Sequence, residues 1–350
     1  HTNPVFYATL AVLNEAMRLR HERTGDDRFA HPLGREFTLL PADLLTLRQN
    51  GGLPGHAEME GRTLFFKANT GPTGHGAPIA AGEALALKHA GAGEVRVFAM
   101  EGEGGHTAGA HHETKNSAWG LGLGNFIYLL DWNDCGIDDH RISSVVHGTP
   151  QTWFESYGWR TGGTEEGSEF GPLLDAFQGV LASRDETVPG CVWFKTRKGR
   201  GYLKYDNKSH GAPHKYNDDN FWTLRDAFAE KYGVSFPGRE EAPAADREGR
   251  VAQCGGYLDA ILSVLAADEA LEKEVAEFVW LVELGDSVPE SIPTFTWDTS
   301  KDPLEDAALT DPEALPSDLF FEPGEKQPNR KGFANFGAYA NAIGKSTYGR

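Results

Sequence analysis

The chain is poor in cysteine, has no long apolar run and carries no excess of positive charge. Its three cysteines, Cys135, Cys191 and Cys254, are widely spaced and form no paired metal motif. That argues against a disulfide scaffold and makes a reducing, cytoplasmic setting the expectation. No apolar stretch approaches the roughly 18 residues that span a bilayer, and no signal segment is visible, so no membrane partner is expected. Lysine and arginine total 33 against 51 aspartates and glutamates, a formal net charge of −18. Nucleic-acid binding depends on a basic footprint, so no nucleic-acid partner is expected either. No internal repeat is apparent.

What the sequence does contain is a set of short apolar runs alternating with helical stretches. Val95-Arg96-Val97-Phe98-Ala99-Met100 and Phe126-Ile127-Tyr128-Leu129-Leu130 are bounded and nearly continuous, as buried strands of a parallel sheet are. The segment between them is long enough for a crossover helix. Cys191 to Lys195 reads as a further strand, and helices are expected over Pro4 to Arg20, Ala80 to His89, Gln151 to Tyr157 and Gly171 to Ser183. This alternation predicts an α/β fold, a doubly wound parallel sheet flanked by helices. The helix at Ala80 follows a glycine loop, so its positive N-terminal end is expected to face an anion.

Glu103 leaves the first of these strands and Asn133 the second. Neighbouring parallel strands end on one edge, and ligands of open α/β sheets bind beyond that edge. Carboxylate and amide oxygens suit Mg2+ or Ca2+, whose shell phosphate and water can complete. Glycines at 102, 104 and 105 would let backbone N–H groups approach phosphate oxygens. Taken alone this is weak, because a glycine-rich turn after a strand is more often structural.

The surrounding segments make the spacing specific. Gly102-Glu103-Gly104 is followed about thirty residues later by Asn133. Leu53-Pro54-Gly55-His56-Ala57-Glu58 and Thr70-Gly71-Pro72-Thr73-Gly74-His75-Gly76 precede it. Phe154-Glu155-Ser156-Tyr157-Gly158-Trp159 and Ser209-His210-Gly211-Ala212-Pro213 follow it. With His1 these make six elements that resemble, in the same order, the signature segments of the transketolases, over most of residues 1 to 215.

The resemblance implies thiamine diphosphate and a divalent metal, Mg2+ or Ca2+, as cofactors. It implies transfer of a two-carbon ketol unit between sugar phosphates. Residue by residue, it implies Glu103, Asn133 and the backbone carbonyl of Cys135 as metal ligands. Gly71, Thr73, Gly102, Gly104 and Asn133 take cofactor-binding positions. His1 and His210 match histidines near the diphosphate and the reacting carbon, where they would bind cofactor and relay protons. His56 and Arg330 match substrate-binding positions, the arginine suited to a phosphate by its forked donors. Trp153, Phe154, Tyr157 and Trp159 read as core or interface aromatics. His106, His111, His112 and Glu113 lack the spacing that sets two zinc-binding imidazoles on one helical face.

Two departures from the family pattern stand out. Glu103 replaces aspartate, lengthening the arm by one methylene, which Mg2+ tolerates less well than Ca2+. An ungapped alignment places Ala108 where the family has a glutamate, although Glu113 matches the next acidic position. Thr73 and His75 in place of leucine and glutamine are milder changes.

The domain reading is 1–235 for the thiamine-diphosphate-binding domain, 236–328 for an acidic, proline-rich linker with a helical segment near 256–284, and 329–350 for the start of a pyrimidine-binding domain. The expectation is a piece of a longer enzyme, or one partner of a split one. Its pyrimidine-binding domain would lie in the remainder of the chain or in a second subunit, in a homodimer acting on sugar phosphates. These residues alone are expected to lack turnover. The alternatives are deoxyxylulose-phosphate synthase, a 2-oxo-acid dehydrogenase E1 component, or a non-catalytic cofactor-binding subunit.

Overall fold

The computed structural model describes residues 3–31, 34–59, 61–63, 66–69, 71–136, 140–182, 185–208, 214–282, 303 and 305–348. They fall into two compact units, within 1–293 and 294–350. The first is built on a four-stranded sheet of order β1-β2-β4-β3, comprising β1 Val97–Gly102, β2 Phe126–Trp132, β3 Arg160–Thr164 and β4 Gly190–Lys195. Every neighbouring pair is parallel. Gly102 stands opposite Asp131, so β1 and β2 run out together on one edge.

β2 and β4 form because their side chains are wanted on both faces. Phe126, Tyr128 and Leu130 point to one face, where they meet Ala77 and Ala84 of α2 (Gly76–His89), Ala118 of α3 (Gly109–Gly120), and Trp153 and Phe154 of α4 (Pro150–Glu155). Ile127 and Leu129 point to the other face. There, with Val192 and Phe194, they pack against Val180, Leu173 and Phe177 of α5 (Phe170–Leu181). A central parallel strand buried on both sides therefore reads as an unbroken apolar run. Helices cover both faces, as the doubly wound expectation required, and α3 is the crossover between β1 and β2.

Two further features are not legible in the patterning, and a third, the helical stretch expected near 256–284, is legible only in part. β3, Arg-Thr-Gly-Gly-Thr, has almost no strand propensity and was read through. α6 (Asp219–Tyr232), capped by Asp218, was not foreseen. The segment read as linker contains α7 (Arg247–Ala267) and α8 (Glu269–Val282), separated at Asp268. These two helices are built into the first unit rather than strung from it. Leu265 and Ala276 bury against Ala16 and Met17 of α1 (Asn3–Thr24). Arg23 reaches the fully buried Glu272 at 3.0 Å. The second unit contains α9 (Ala307–Thr310) and α10 (Asn329–Ile343).

Candidate functional site

At the carboxyl edge the chain leaving β1 turns at once into a short helical turn, Glu103–Thr107, and this turn carries the acid under the chain leaving β2. Glu103 is only 2% exposed. Its Oε2 accepts the Asn133 N–H at 3.3 Å and its Oε1 the Cys135 N–H at 3.2 Å. The Asn133 side-chain oxygen accepts the same Cys135 N–H at 3.0 Å. Glu103, Asn133 and Cys135, joined only by a motif in the sequence, are thus in mutual contact. Burial raises the Glu103 carboxyl above its ordinary range, and the nearby Asp131 carboxylate adds to this; the backbone N–H groups pull it back. Asp131 in turn accepts a hydrogen bond from Thr196, just beyond β4.

The loop ahead of α2 lies against this turn. Gly74 has φ +77°, and a Cβ there would meet the Ala108 Cβ at 2.6 Å and the Gly105 carbonyl oxygen at 3.1 Å. Only glycine allows that approach. It also gives Ala108 a physical setting: the side chain packs directly on the loop that carries Gly74. Gly71 and Thr73, at the exposed start of the same loop, are carried to the sheet edge with it. Gly102 ends β1, while Gly104 faces open space, with nothing within 4 Å of a would-be Cβ.

His56 reaches the same place from a different part of the chain. Its turn is held by α1, where Tyr7 Oη donates to the Pro54 carbonyl at 3.0 Å and Asn3 Nδ2 to the Gly55 carbonyl at 3.1 Å. His56 Nδ1 lies 3.8 Å from where a Cβ on Gly71 would stand, and the imidazole is exposed. Arg330 is exposed in the first turn of α10, in the second unit. His1 and His210 lie outside the described residues.

The anion expected at the N-terminus of α2 is present, but it belongs to the chain. Glu101, on β1, accepts the Gly74 N–H at 2.9 Å, and the Ala77 N–H favours its charged form. This residue escaped the sequence reading, which ended the strand at Met100. The available signal was an acid at the buried end of a strand beside a glycine-rich turn. The histidines once weighed as zinc ligands serve a different purpose. His106 and His111 pack with centroids 4.1 Å apart and rings tilted by 39° among Tyr128, Trp153 and Phe154. Among the described residues no three of His, Cys, Asp and Glu are grouped to hold a metal. No helix among them is long and apolar enough to cross a membrane.

A parallel sheet covered on both faces, with oxygen donors and a glycine loop gathered at its carboxyl edge, defines an α/β domain whose ligands bind beyond the strand ends. Residues 30–244 match the family described as transketolase, thiamine diphosphate binding domain, and the chain belongs to that family. It is 31% identical over 229 residues to a transketolase of Halalkalibacterium halodurans, covering 61% of this chain and 33% of that protein. It is 30% identical over 228 residues to a transketolase of Geobacillus stearothermophilus, covering 59% and 34%. Among solved structures, transketolase from Leishmania mexicana aligns at 24% identity with a TM-score of 0.49, over 69% of this chain and 37% of that one. The chain spans about a third of the length of the relatives it matches.

Proposed function

We propose that this chain supplies the diphosphate and metal half of a transketolase-type active site, serving transfer of a two-carbon ketol unit between sugar phosphates. The observation that carries this reading is the contact of buried Glu103 with Asn133 and Cys135, the acid and amide delivered by β1 and β2 to one point. The donor set is a carboxylate, a side-chain amide oxygen and a backbone carbonyl, the hard oxygen ligands that Mg2+ or Ca2+ takes. Thiamine diphosphate, when bound, supplies the electron sink for cleaving and forming the ketol bond.

The chain's own residues hold and orient. Glu103, Asn133 and the Cys135 carbonyl would hold the metal. Gly104 would turn its N–H to a phosphate oxygen, unobstructed by any neighbour on its open side. The Gly71 and Thr73 backbone would line the cofactor. His56, beside Gly71 and open to solvent, would donate a hydrogen bond to the sugar; Arg330, exposed in the second unit, would offer its guanidinium to a sugar phosphate. His1 and His210 would move protons near the reacting carbon. The pyrimidine-binding domain would come from the remainder of the protein or a second subunit of a homodimer, in a cytoplasmic enzyme.

The experiment is titration of the purified chain with thiamine diphosphate in the presence of Mg2+ or of Ca2+, followed by assay of ketol transfer. Metal-dependent binding, lost in Glu103→Ala, is expected, with no turnover by the chain alone. Absence of binding with either metal overturns the half-site reading.

A further inference from the structure

Glu101 lies outside the short signature segments quoted from the sequence, yet it is tied into three elements at once. Its Oε2 accepts the Tyr128 hydroxyl of β2 at 3.0 Å and its Oε1 the Gly74 N–H at 2.9 Å. The Ala77 N–H, in the first turn of α2, favours its charged form as well. One carboxylate therefore joins β1, β2 and the N-terminus of α2. That N-terminus, where an external anion could otherwise dock, is already occupied.

Packing reinforces these bonds. A Cβ on Gly105 would stand 2.8 Å from the Glu101 carboxyl carbon, so the Glu103–Thr107 turn needs glycine there to admit the carboxylate. The same turn meets the loop a second time, through Ala108 and the Gly105 carbonyl against Gly74. The Gly71–Gly74 loop and the turn bearing Glu103 are thus fixed to each other by a charge-assisted bond on one side and close backbone packing on the other.

We propose that Glu101 is a positioning residue, setting the Gly71–Gly74 loop at the separation from Glu103 that lets both engage thiamine diphosphate. The proposal rests on the half-site reading above. In this role Glu101 acts through the Gly74 backbone and the Tyr128 hydroxyl rather than on cofactor or metal directly. A purely structural knot would also lower stability on removal, so the test separates loop placement from stability.

Two quantities are measured on the full chain: amide hydrogen exchange over residues 71–77 without ligand, and thiamine diphosphate affinity with Mg2+ by calorimetry. The variants are Glu101→Leu, Glu101→Gln and, as a stability control on the opposite face of the sheet, Val192→Ala. Glu101→Leu is expected to speed exchange at Gly74 and Ala77 and to weaken affinity about tenfold or more. Glu101→Gln keeps an oxygen for Gly74 and a polar partner for Tyr128, and restores affinity to within about threefold. Val192→Ala lowers the melting temperature and leaves affinity within about twofold. Should Glu101→Leu fail to fold, Gly105→Ala, whose methyl pushes on the same carboxyl, takes its place with the same expected losses.

Affinity in Glu101→Leu within about threefold of the unsubstituted chain overturns the proposal, as does affinity that simply tracks melting temperature across all variants. No binding by the unsubstituted chain instead overturns the half-site reading, and this proposal with it. Normal binding with an unaffected Glu101→Leu removes the proposal alone.

Discussion

His106 and His111 sit back to back in the core, and each is held neutral by its surroundings. Burial, followed by repulsion from His111 and Lys115, pushes His106 down to about 2, and burial with Lys115 pushes His111 down to about 3. Both ring nitrogens of His111 are buried without a hydrogen-bond partner among the described residues. In the unfolded chain these imidazoles titrate near 6.5. Below that pH the unfolded state binds protons that the folded state refuses, so stability is complete above about 6.5 and falls as the pH drops toward 3. Each histidine costs about 2 kcal/mol by pH 5. Urea melts between pH 7 and 5 are expected to show a steep loss, roughly halved in His111→Leu. A pH-independent midpoint across that window would contradict the buried, neutral assignment. Residues of this kind were visible in the sequence only as a histidine-rich run. Their burial depends on α3 and α4 closing over β2, which local spacing does not encode. Glu103 and Asn133 were legible because strand ends set their position directly. Glu101 was not, because an acid at the end of an apolar run looks the same whether it meets water or a helix N-terminus.

Elements were readable where their own side chains supply the burial. β1, β2 and β4 are apolar runs and were placed within a few residues; α2, α4 and α5 were likewise anticipated. β3 was missed because its sequence answers a tertiary demand. Gly163 lies so close to Trp193 of β4 that a Cβ would approach the ring at 2.1 Å. Glycine lowers strand propensity but is what the close approach requires. Gly163→Ala is therefore expected to destabilise the chain by about 1 to 3 kcal/mol, through overpacking against the indole. Thermal melting checks this, and an unchanged or raised midpoint would show that Trp193 can move aside at no cost.

At the scale of the molecule, the sequence suggested a domain followed by a tether. Composition supported it, since prolines and acids cluster after residue 236. Composition cannot reveal that α7 and α8 fold back onto α1, because the contact joins helices more than two hundred residues apart through small residues such as Ala16 and Ala276. Leu265 is 5% exposed in that contact. Leu265→Ala is expected to cost about 2 to 4 kcal/mol, measured by urea unfolding, whereas a residue in a loose tether would cost almost nothing. The same long-range packing secures α1, whose N-terminal turn holds the His56 loop through Asn3 and Tyr7. Destabilising the α1–α8 contact is thus expected to loosen one wall of the site from a distance.

The central claim is that β1 and β2 deliver Glu103 and Asn133 to a single metal and diphosphate clamp. The most direct measurement is calorimetric titration of the full chain with thiamine diphosphate, run with Mg2+, with Ca2+ and with neither, on the unsubstituted protein and on Glu103→Ala. The account predicts saturable binding that requires a divalent ion and disappears in Glu103→Ala while the fold persists. Binding that ignores the metal, that survives loss of Glu103, or that never occurs with either ion would contradict it.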